Sequence, residues 1–188
     1  ADRSTLGRWL FALKPASWPK LLVPAALGQA IGIDDAGRVS FAGLALGALF
    51  VVCDVVFVVT LNDWGDRQVD AVKRRMFPET SEKTIPDGIL PGGALLLAGA
   101  AAGLAALAVA GVASVALDRP LAVPLVLAAL ALFCAYTLPP LRLNYRGGGE
   151  LLEMLGVGVV LPAVSAYFQC GHVTSASSVV LLGFVPLA

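Results

Sequence analysis

Long apolar stretches, separated by short polar segments, dominate the pattern of this chain. Ala, Leu, Gly and Val fill these stretches, and apolar and polar residues do not alternate at the two-residue period of a barrel strand. Each stretch approaches the roughly 20 residues that an α-helix needs to cross a bilayer. The pattern predicts spans near 17–33, 40–61, 90–117, 120–139 and 151–170, and a sixth that begins near 173. We therefore expect an all-α fold, a polytopic transmembrane helical bundle.

Composition supports a membrane protein. Hydrophobic residues make up 58% of the chain and charged residues 14%, and the mean hydropathy is +0.84. A soluble domain carries about 25% charged residues, so the composition excludes that class. We expect the lipid bilayer as the surroundings and no nucleic-acid partner. The spacing of Cys53, Cys134 and Cys170 is not that of a zinc site, and we interpret them as small apolar core residues.

The basic residues lie mainly on one side of the predicted spans. Eleven of the thirteen Lys and Arg residues fall in the N-terminal segment and in the loops after spans two and four, whereas Arg38 and Arg119 fall on the other side. Basic loops stay in the cytoplasm, which predicts a cytoplasmic N-terminus. Residues 1–16 lack the apolar core of a signal peptide and are interpreted as an interfacial amphipathic segment of one transmembrane domain, 1–188.

Acidic residues cluster where the second predicted span ends, in the stretch NDWGDRQVD at 62–70. A helix advances by about 100° per residue, which places Asn62, Asp66, Asp70 and Asp63 within one quarter of its circumference. Clustered carboxylates repel one another unless a cation lies between them, and oxygen ligands suit Mg²⁺ bridged to phosphate. The alternative is a solvated helix face. Because five basic residues follow the acids, we predict a metal-and-phosphate site, on the cytoplasmic side.

Several segments together resemble the UbiA superfamily of intramembrane prenyltransferases. The first is NDWGDRQVD, which fits the first aspartate-rich motif of that family, N-D-x-x-D-x-x-x-D. LKPASWPKLLVPAALGQA resembles the opening of the family, and EKTIPDGIL resembles its R-P-I-x-x-G segment, with Lys83-Thr84 where Arg-Pro is usual. YTLPPLRLNYRGGGELLEMLGVGVVLPAV is similar to a stretch of the menaquinone and chlorophyll branches.

The resemblance implies nine helices and a second motif, D-x-x-x-D, after the sixth. This chain ends at VVLLGFVPLA and contains no second motif. We therefore expect it to be truncated before that motif, and to represent about six spans, or the N-terminal two-thirds, of a longer enzyme.

The resemblance also implies the chemistry. An isoprenoid chain is transferred from a prenyl diphosphate to an aromatic or other lipophilic acceptor, as in isoprenoid quinone biosynthesis, in what we expect to be a prokaryotic cell membrane. The implied Mg²⁺ ligands are Asn62, Asp63, Asp66 and Asp70. The implied diphosphate-binding residues are Asn62, Lys83 and Arg142. Asp63, Asp66, Asp70 and Tyr136 are the implied catalytic residues.

Some residues keep two interpretations. Tyr136 either contacts the substrate or is an interfacial aromatic anchor. Asp54, well inside the second span, either accepts a proton from an acceptor or pairs with Thr60 or a backbone group. Glu150 and Glu153 begin a helix after GGG, where we favour interaction with the helix dipole over metal binding. His172 is interpreted as a polar loop residue on the far side.

Two other function classes remain open at this point. An intramembrane terpene cyclase on the same scaffold would use the same diphosphate site without an acceptor, and only its product would distinguish it. A transporter or membrane scaffold also contains helices and basic loops, although a transporter would have its charges near the membrane midplane.

Overall fold

A computed structural model describes residues 3–172, and these form helices and connecting turns without a strand. Seven α-helices follow one another: α1 Thr5–Leu13, α2 Pro19–Ala36, α3 Phe41–Met76, α4 Gly92–Ala116, α5 Ala122–Thr137, α6 Gly149–Leu155 and α7 Leu161–Cys170. Short 3-10 turns occupy Pro15–Ser17 and Leu143–Tyr145, and a π-helical turn, Gly156–Val160, joins α6 to α7. The all-α fold class is confirmed.

A helix lies at each of the first five predicted spans. Within residues 3–172, three helical stretches are long and apolar enough to cross a bilayer: Phe41–Met76, Gly92–Ala116 and the continuous Gly149–Cys170. Helix α5 is apolar but shorter, with 16 residues, and α2 contains an internal proline, Pro24. The predicted sixth span lies outside the described residues. Helix α1 coincides with part of the predicted interfacial segment.

Helix α3 runs without interruption far beyond the predicted span 40–61. It contains 36 residues, which corresponds to about 54 Å at a rise of 1.5 Å per residue. The Ser40 side chain caps its start by accepting a hydrogen bond from the Gly43 N–H, and Lys73, Arg74 and Arg75 occupy its last turn, where positive charge suits the dipole. The aspartates of NDWGDRQVD therefore lie on the helix that also forms the apolar core.

Small residues allow α2 and α7 to approach closely. A Cβ atom added to Gly28 would lie 2.2 Å from the Pro162 carbonyl oxygen, and one added to Gly32 would lie 2.4 Å from the Ala166 carbonyl oxygen. No real side chain fits at these distances, so the backbones of the two helices are in contact, as small residues permit in membrane proteins. This contact fixes α7 against α2.

A buried polar group ties the same helices to α3. Gln169 donates from Nε2 to the Gln29 side-chain oxygen over 2.7 Å, and its own oxygen accepts from the Ser40 N–H over 3.0 Å. Both glutamines are buried. Since a polar group in an apolar core is costly without a partner, these bonds favour one arrangement of α2, α3 and α7.

Candidate active site

A cavity of about 320 Å³ lies between α2, α3, α5 and the α6–π segment. Its walls are mainly apolar and include Leu21, Val58 and Leu132. The polar lining residues are Lys14, Ser17, Lys20, Asp54, Asn62, Tyr136 and Glu153. Asn62 is the first residue of the aspartate-rich stretch, so the cavity reaches the part of α3 where the acids are concentrated. We call that end of the bundle the motif end.

Asp63 is held by two donors from outside α3. Lys14, at the end of α1, forms an ion pair with its Oδ1 atom, and Thr84 donates from Oγ1 to its Oδ2 atom over 2.5 Å. Asp63 and Thr84 are both buried, and Lys14 has a left-handed φ of 48° that ends α1. One carboxylate therefore joins α1, α3 and the loop 77–91.

Asp66, one turn further along α3, has different partners. Its Oδ1 atom accepts from the Tyr145 hydroxyl over 2.5 Å, and its Oδ2 atom accepts from the Asn62 amide over 3.2 Å. Burial and the hydrogen bond to the Asp66 carboxylate both raise the pKa of Tyr145, because each disfavours a phenolate. Tyr145 therefore acts as a hydrogen-bond donor at this position.

Asp70 pairs with Lys83, whose Nζ atom lies 3.1 Å from its Oδ1 atom. The Lys83 backbone N–H donates to the Asp87 carboxylate over 2.7 Å, and the Arg74 Nε atom lies 2.8 Å from Asp87. The hydrogen bond from the Lys83 backbone and that from Arg74 lower the pKa of Asp87. The loop that carries Lys83 is thus fixed to the last turns of α3.

Arg142 also reaches α3, from the segment after α5. Its guanidinium donates to the Gly65 carbonyl oxygen and lies 5.3 Å from the centre of the Tyr145 ring. The Cβ of a residue at position 65 would lie 2.6 Å from the Thr137 hydroxyl oxygen, so the absence of a side chain at Gly65 permits close packing of α3 on the end of α5. The segment 142–145 consequently lies directly against the aspartate-rich turn.

The residues singled out in the sequence meet at the motif end, but Asp63 has different neighbours from the other acids. Asp66 contacts Asn62 and Tyr145, and Asp70 contacts Lys83. Both oxygens of Asp63 instead face α1 and Thr84. Tyr136 lines the cavity with its ring stacked 6.0 Å from that of Phe133. This position agrees with either interpretation of Tyr136, and the roles of all these residues stay predictions.

The acids of the α6 segment are explained by other contacts. Glu150 lies in the first turn of α6, where a negative charge suits the dipole. Glu153 forms an ion pair with Lys20 across the cavity rim. Sequence reasoning placed both at a helix start, but it did not anticipate that Glu153 would join α6 to α2.

Sequence reasoning missed three residues that contact the acids: Lys14, Thr84 and Tyr145. Each belongs to a segment with a motif resemblance, LKPAS, EKTIP or the LRLNY that follows YTLPP. Membership of those segments was the available signal. The contacts themselves are long-range, joining positions 49, 21 and 79 residues apart, and no local pattern encodes them.

The donor set at the motif end fits Mg²⁺. Asn62, Asp66 and Asp70 offer only oxygen ligands from one side of a helix, and Mg²⁺ prefers such ligands together with waters and phosphate oxygens. Asp63 keeps lone pairs for a metal even with its two donors, since a carboxylate has about four acceptor sites. The residues present are therefore compatible with the predicted cofactor.

A second group of potential ligand atoms lies at the opposite end. Asp35, Cys170 and His172 place a carboxylate oxygen, the thiol sulfur and a ring nitrogen within 4.8 Å of one another. The Cys170 thiol and the His172 ring each already contact the other residue's backbone carbonyl, both at 3.0 Å. His172 is exposed, in agreement with its interpretation as a polar loop residue.

Comparisons with known proteins agree with this architecture. The model of the UbiA prenyltransferase family matches residues 21–188. The solved structure of a UbiA homolog from Archaeoglobus fulgidus superposes with a TM-score of 0.65 at 19% sequence identity, which shows a shared fold. The match covers 95% of this chain and 57% of that one, so the chain spans little more than half the length of that relative. None of the curated proteins compared with the chain matches it.

Proposed function

The chain belongs to the UbiA prenyltransferase family, and we propose that the protein transfers an isoprenoid chain from a prenyl diphosphate to a lipophilic acceptor, with Mg²⁺ as cofactor. The observation that carries the proposal is a cluster of opposite charges at the end of an apolar cavity. Lys14, Lys83 and Arg142 come from three separate segments, and each bonds to the turns of α3 that contain the aspartates.

A bound Mg²⁺ would supply positive charge to offset the negative charge that develops on the departing diphosphate. Asn62, Asp66 and Asp70 would hold it, with Asp63 as a further candidate ligand. These residues lie on a rigid helix, so their spacing is set before the ligand arrives. Such preorganisation is the main source of electrostatic catalysis.

Lys83 and Arg142 would bind the diphosphate oxygens. Each side chain now contacts α3 beside an aspartate position, Lys83 at Asp70 and Arg142 at the Gly65 carbonyl. A diphosphate at the metal-binding face would therefore lie close to both side chains. The Arg142 guanidinium can form paired hydrogen bonds to phosphate oxygens, and the Lys83 ammonium can act as a point charge. Tyr136 lies on the cavity wall, where its ring would face the allylic end of the substrate.

The apolar cavity would hold the reacting part of the prenyl chain and exclude water from the allylic cation. Val55, Val58, Val59 and Leu132 line it together with the aromatic side chains. Exclusion of water protects a reactive intermediate from hydrolysis and strengthens the surrounding electrostatic interactions. This arrangement supports transfer to a lipophilic acceptor that reaches the cavity from the bilayer.

We further propose that the motif end faces the cytoplasm, as the distribution of basic residues predicts. Single cysteines at Arg75 and Arg146, in a background without the native cysteines, are expected to react with an impermeant reagent from the cytoplasmic side. Cysteines at Ala36 and Arg119 are expected to react from the other side. Labelling of Arg75 and Arg119 positions from one side would overturn this orientation.

The test of the function is prenyl transfer by the full-length protein in membranes, with prenyl diphosphates of several lengths and varied Mg²⁺. We expect Asp66→Ala to abolish turnover while the protein remains folded in detergent. Removal of one electrostatic contact costs about 10²-fold in kcat when the contact acts in the transition state, which sets the expectation for Lys83→Gln and Arg142→Gln.

Lys73→Gln is the matched control, because Lys73 is an exposed basic residue of α3, the helix that carries the aspartates. It is expected to keep the parent kinetics. Parent-like kcat and KM in both Lys83→Gln and Arg142→Gln would show that these residues do not bind the diphosphate. Near-normal activity of Asp66→Ala would refute the metal assignment, and a cyclised product without an acceptor would show a cyclase.

A further inference from the structure

Asp54 is a buried acid in the cavity for which the contacts described above give no role. It lies on α3, its side chain is 7% exposed, and it lines the cavity between apolar residues such as Val55 and Val58. Within residues 3–172 its carboxylate forms no hydrogen bond or ion pair with another side chain. Thr60, the partner considered from the sequence, donates to the Val56 carbonyl oxygen over 2.7 Å instead.

A carboxylate without a partner is costly inside a membrane protein. Burying a polar group without a compensating hydrogen bond is unfavourable. Ionisable residues within a membrane usually face the bundle interior or a cavity, pair with other polar groups, and mark substrate or ion pathways. Asp54 faces a cavity of about 320 Å³, which is within the range of small-molecule sites. A ligand hydroxyl in this cavity would supply the hydrogen bond that the described residues do not.

This position is separate from the proposed metal-binding face. Asp54 precedes Asn62 by eight residues on an unbroken helix, which is about 12 Å along the axis. The aspartates at the motif end bond to basic residues or hydroxyl donors, whereas Asp54 is surrounded by apolar residues. The cavity thus has two polar regions with apolar walls between them.

We propose that Asp54 binds the hydroxyl group of a ring-bearing lipophilic acceptor, in a subsite deep in the cavity. The proposal rests on the proposed function, in which the cavity must hold an acceptor beside the prenyl chain. A carboxyl group offers acceptor oxygens in either protonation state, so a ligand hydroxyl would supply the hydrogen bond that Asp54 lacks. Trp18, Phe133 and Tyr136 line the same cavity, and the stacked rings of Phe133 and Tyr136 would pack against a flat ring.

Binding of two size-matched probes tests this subsite without requiring turnover. 1-Naphthol presents a hydroxyl on an aromatic ring, and 1-methylnaphthalene carries a methyl group in its place. The quantity measured is the ratio of their dissociation constants for the purified full-length protein in detergent. Comparing this ratio between parent and variants cancels the different partition of the two probes into the micelles.

The variants are Asp54→Leu, which replaces the carboxylate with an apolar side chain, and Asp54→Asn, which keeps an acceptor oxygen without the charge. We expect the preference for 1-naphthol to fall at least tenfold in Asp54→Leu. Asparagine keeps one acceptor oxygen but carries an amide nitrogen in place of the second oxygen, so Asp54→Asn is expected to lie between Asp54→Leu and the parent. If Asp54→Leu does not fold, Asp54→Asn alone decides, with a preference at least threefold below that of the parent.

An unchanged preference in the folded variants would overturn the proposal. Binding of geranylgeranyl diphosphate with Mg²⁺, measured on the same samples, separates this result from a failure of the proposed function. Loss of naphthol preference with unchanged diphosphate binding supports the subsite. A parent that binds no prenyl diphosphate yet prefers 1-naphthol through Asp54 would overturn the transferase function and leave the hydroxyl-binding site in place.

Discussion

The hydrogen bond between Thr84 and Asp63 gives a direct test of how the loop 77–91 is held on α3. The Thr84 hydroxyl donates to Asp63 over 2.5 Å, with side-chain exposures of 3% and 6%. Thr84→Val removes the donor with little change of shape. A hydrogen bond to a charged group contributes about 1.5–3 kcal/mol, and the valine leaves one carboxylate oxygen buried without this donor. We expect the free energy of unfolding to fall by about 2 kcal/mol.

A double-mutant cycle isolates the interaction. The four proteins are the parent, Thr84→Val, Asp63→Ala and the double variant, each unfolded reversibly in mixed micelles and followed by helical circular dichroism. The coupling free energy is the difference between the double variant and the sum of the single variants. We expect about 1.5–3 kcal/mol, because the hydroxyl matters only while the carboxylate is present.

Thr80→Val is the matched control, since Thr80 is an exposed threonine of the same loop whose hydroxyl contacts the Phe77 carbonyl oxygen. A surface substitution of this kind changes stability by about 0.5 kcal/mol or less. A coupling free energy below that value, or equal losses in Thr80→Val and Thr84→Val, would refute the assignment of a buried bond.

Three further outcomes are expected. Gly32→Ala should lower the unfolding midpoint in detergent, because the added Cβ would lie 2.4 Å from a backbone oxygen and overpacking costs about 1–3 kcal/mol. Gly111→Ala, where the added Cβ meets no atom within 4 Å, should match or exceed the parent. Equal midpoints in the two variants would contradict the close contact of α2 and α7. Burial and Asp66 raise the pKa of the Tyr145 phenol, so its stabilising contribution is complete below about pH 10, the ordinary tyrosine value, and is lost as the pH rises through the higher, folded value. The phenol should therefore remain protonated near pH 10.5. The tyrosinate absorbance of the parent and of Tyr145→Phe at about pH 10.5 should then agree. The hydrogen bond from Arg3 lowers the pKa of Glu82. The pair therefore stabilises the attachment of α1 above about pH 4.3, and this stabilisation is lost as the pH falls through the lower, folded value. A carboxyl NMR titration should give a higher midpoint for Glu82 in Arg3→Gln, and identical midpoints would show that the pair does not form.

The helices of the core were predictable because their signal is local. Apolar runs near the length of a membrane span needed no knowledge of neighbours, and a helix is found at each of the five that fall in the described residues. The length of α3 was not predictable from hydropathy alone. Its polar half, after Leu61, continues the same hydrogen-bond ladder to Met76 although the apolar signal ends.

Helical periodicity anticipated one contact within the candidate site, and the other contacts could not be predicted from it. Helical periodicity correctly placed Asn62 and Asp66 one turn apart, and they bond to each other. The same periodicity could not reveal that Asp63, only about 60° from Asp66, contacts Lys14 and Thr84 instead. Those partners depend on how α1 and the loop 77–91 pack, which is tertiary information that a single helical projection does not contain.

The continuity of α3 fixes the distance between the two proposed binding positions. Asp54, proposed to bind the acceptor, and Asn62, proposed to bind the metal, lie on one helix, and the rise per residue sets their separation. Loops at either end can lengthen or shorten without altering this interval. A carboxylate transferred from Asp54 to Val58, which also lines the cavity, would shorten the interval by four residues, or about 6 Å. Choice of substrate size would then reside in the position of a single side chain along the helix.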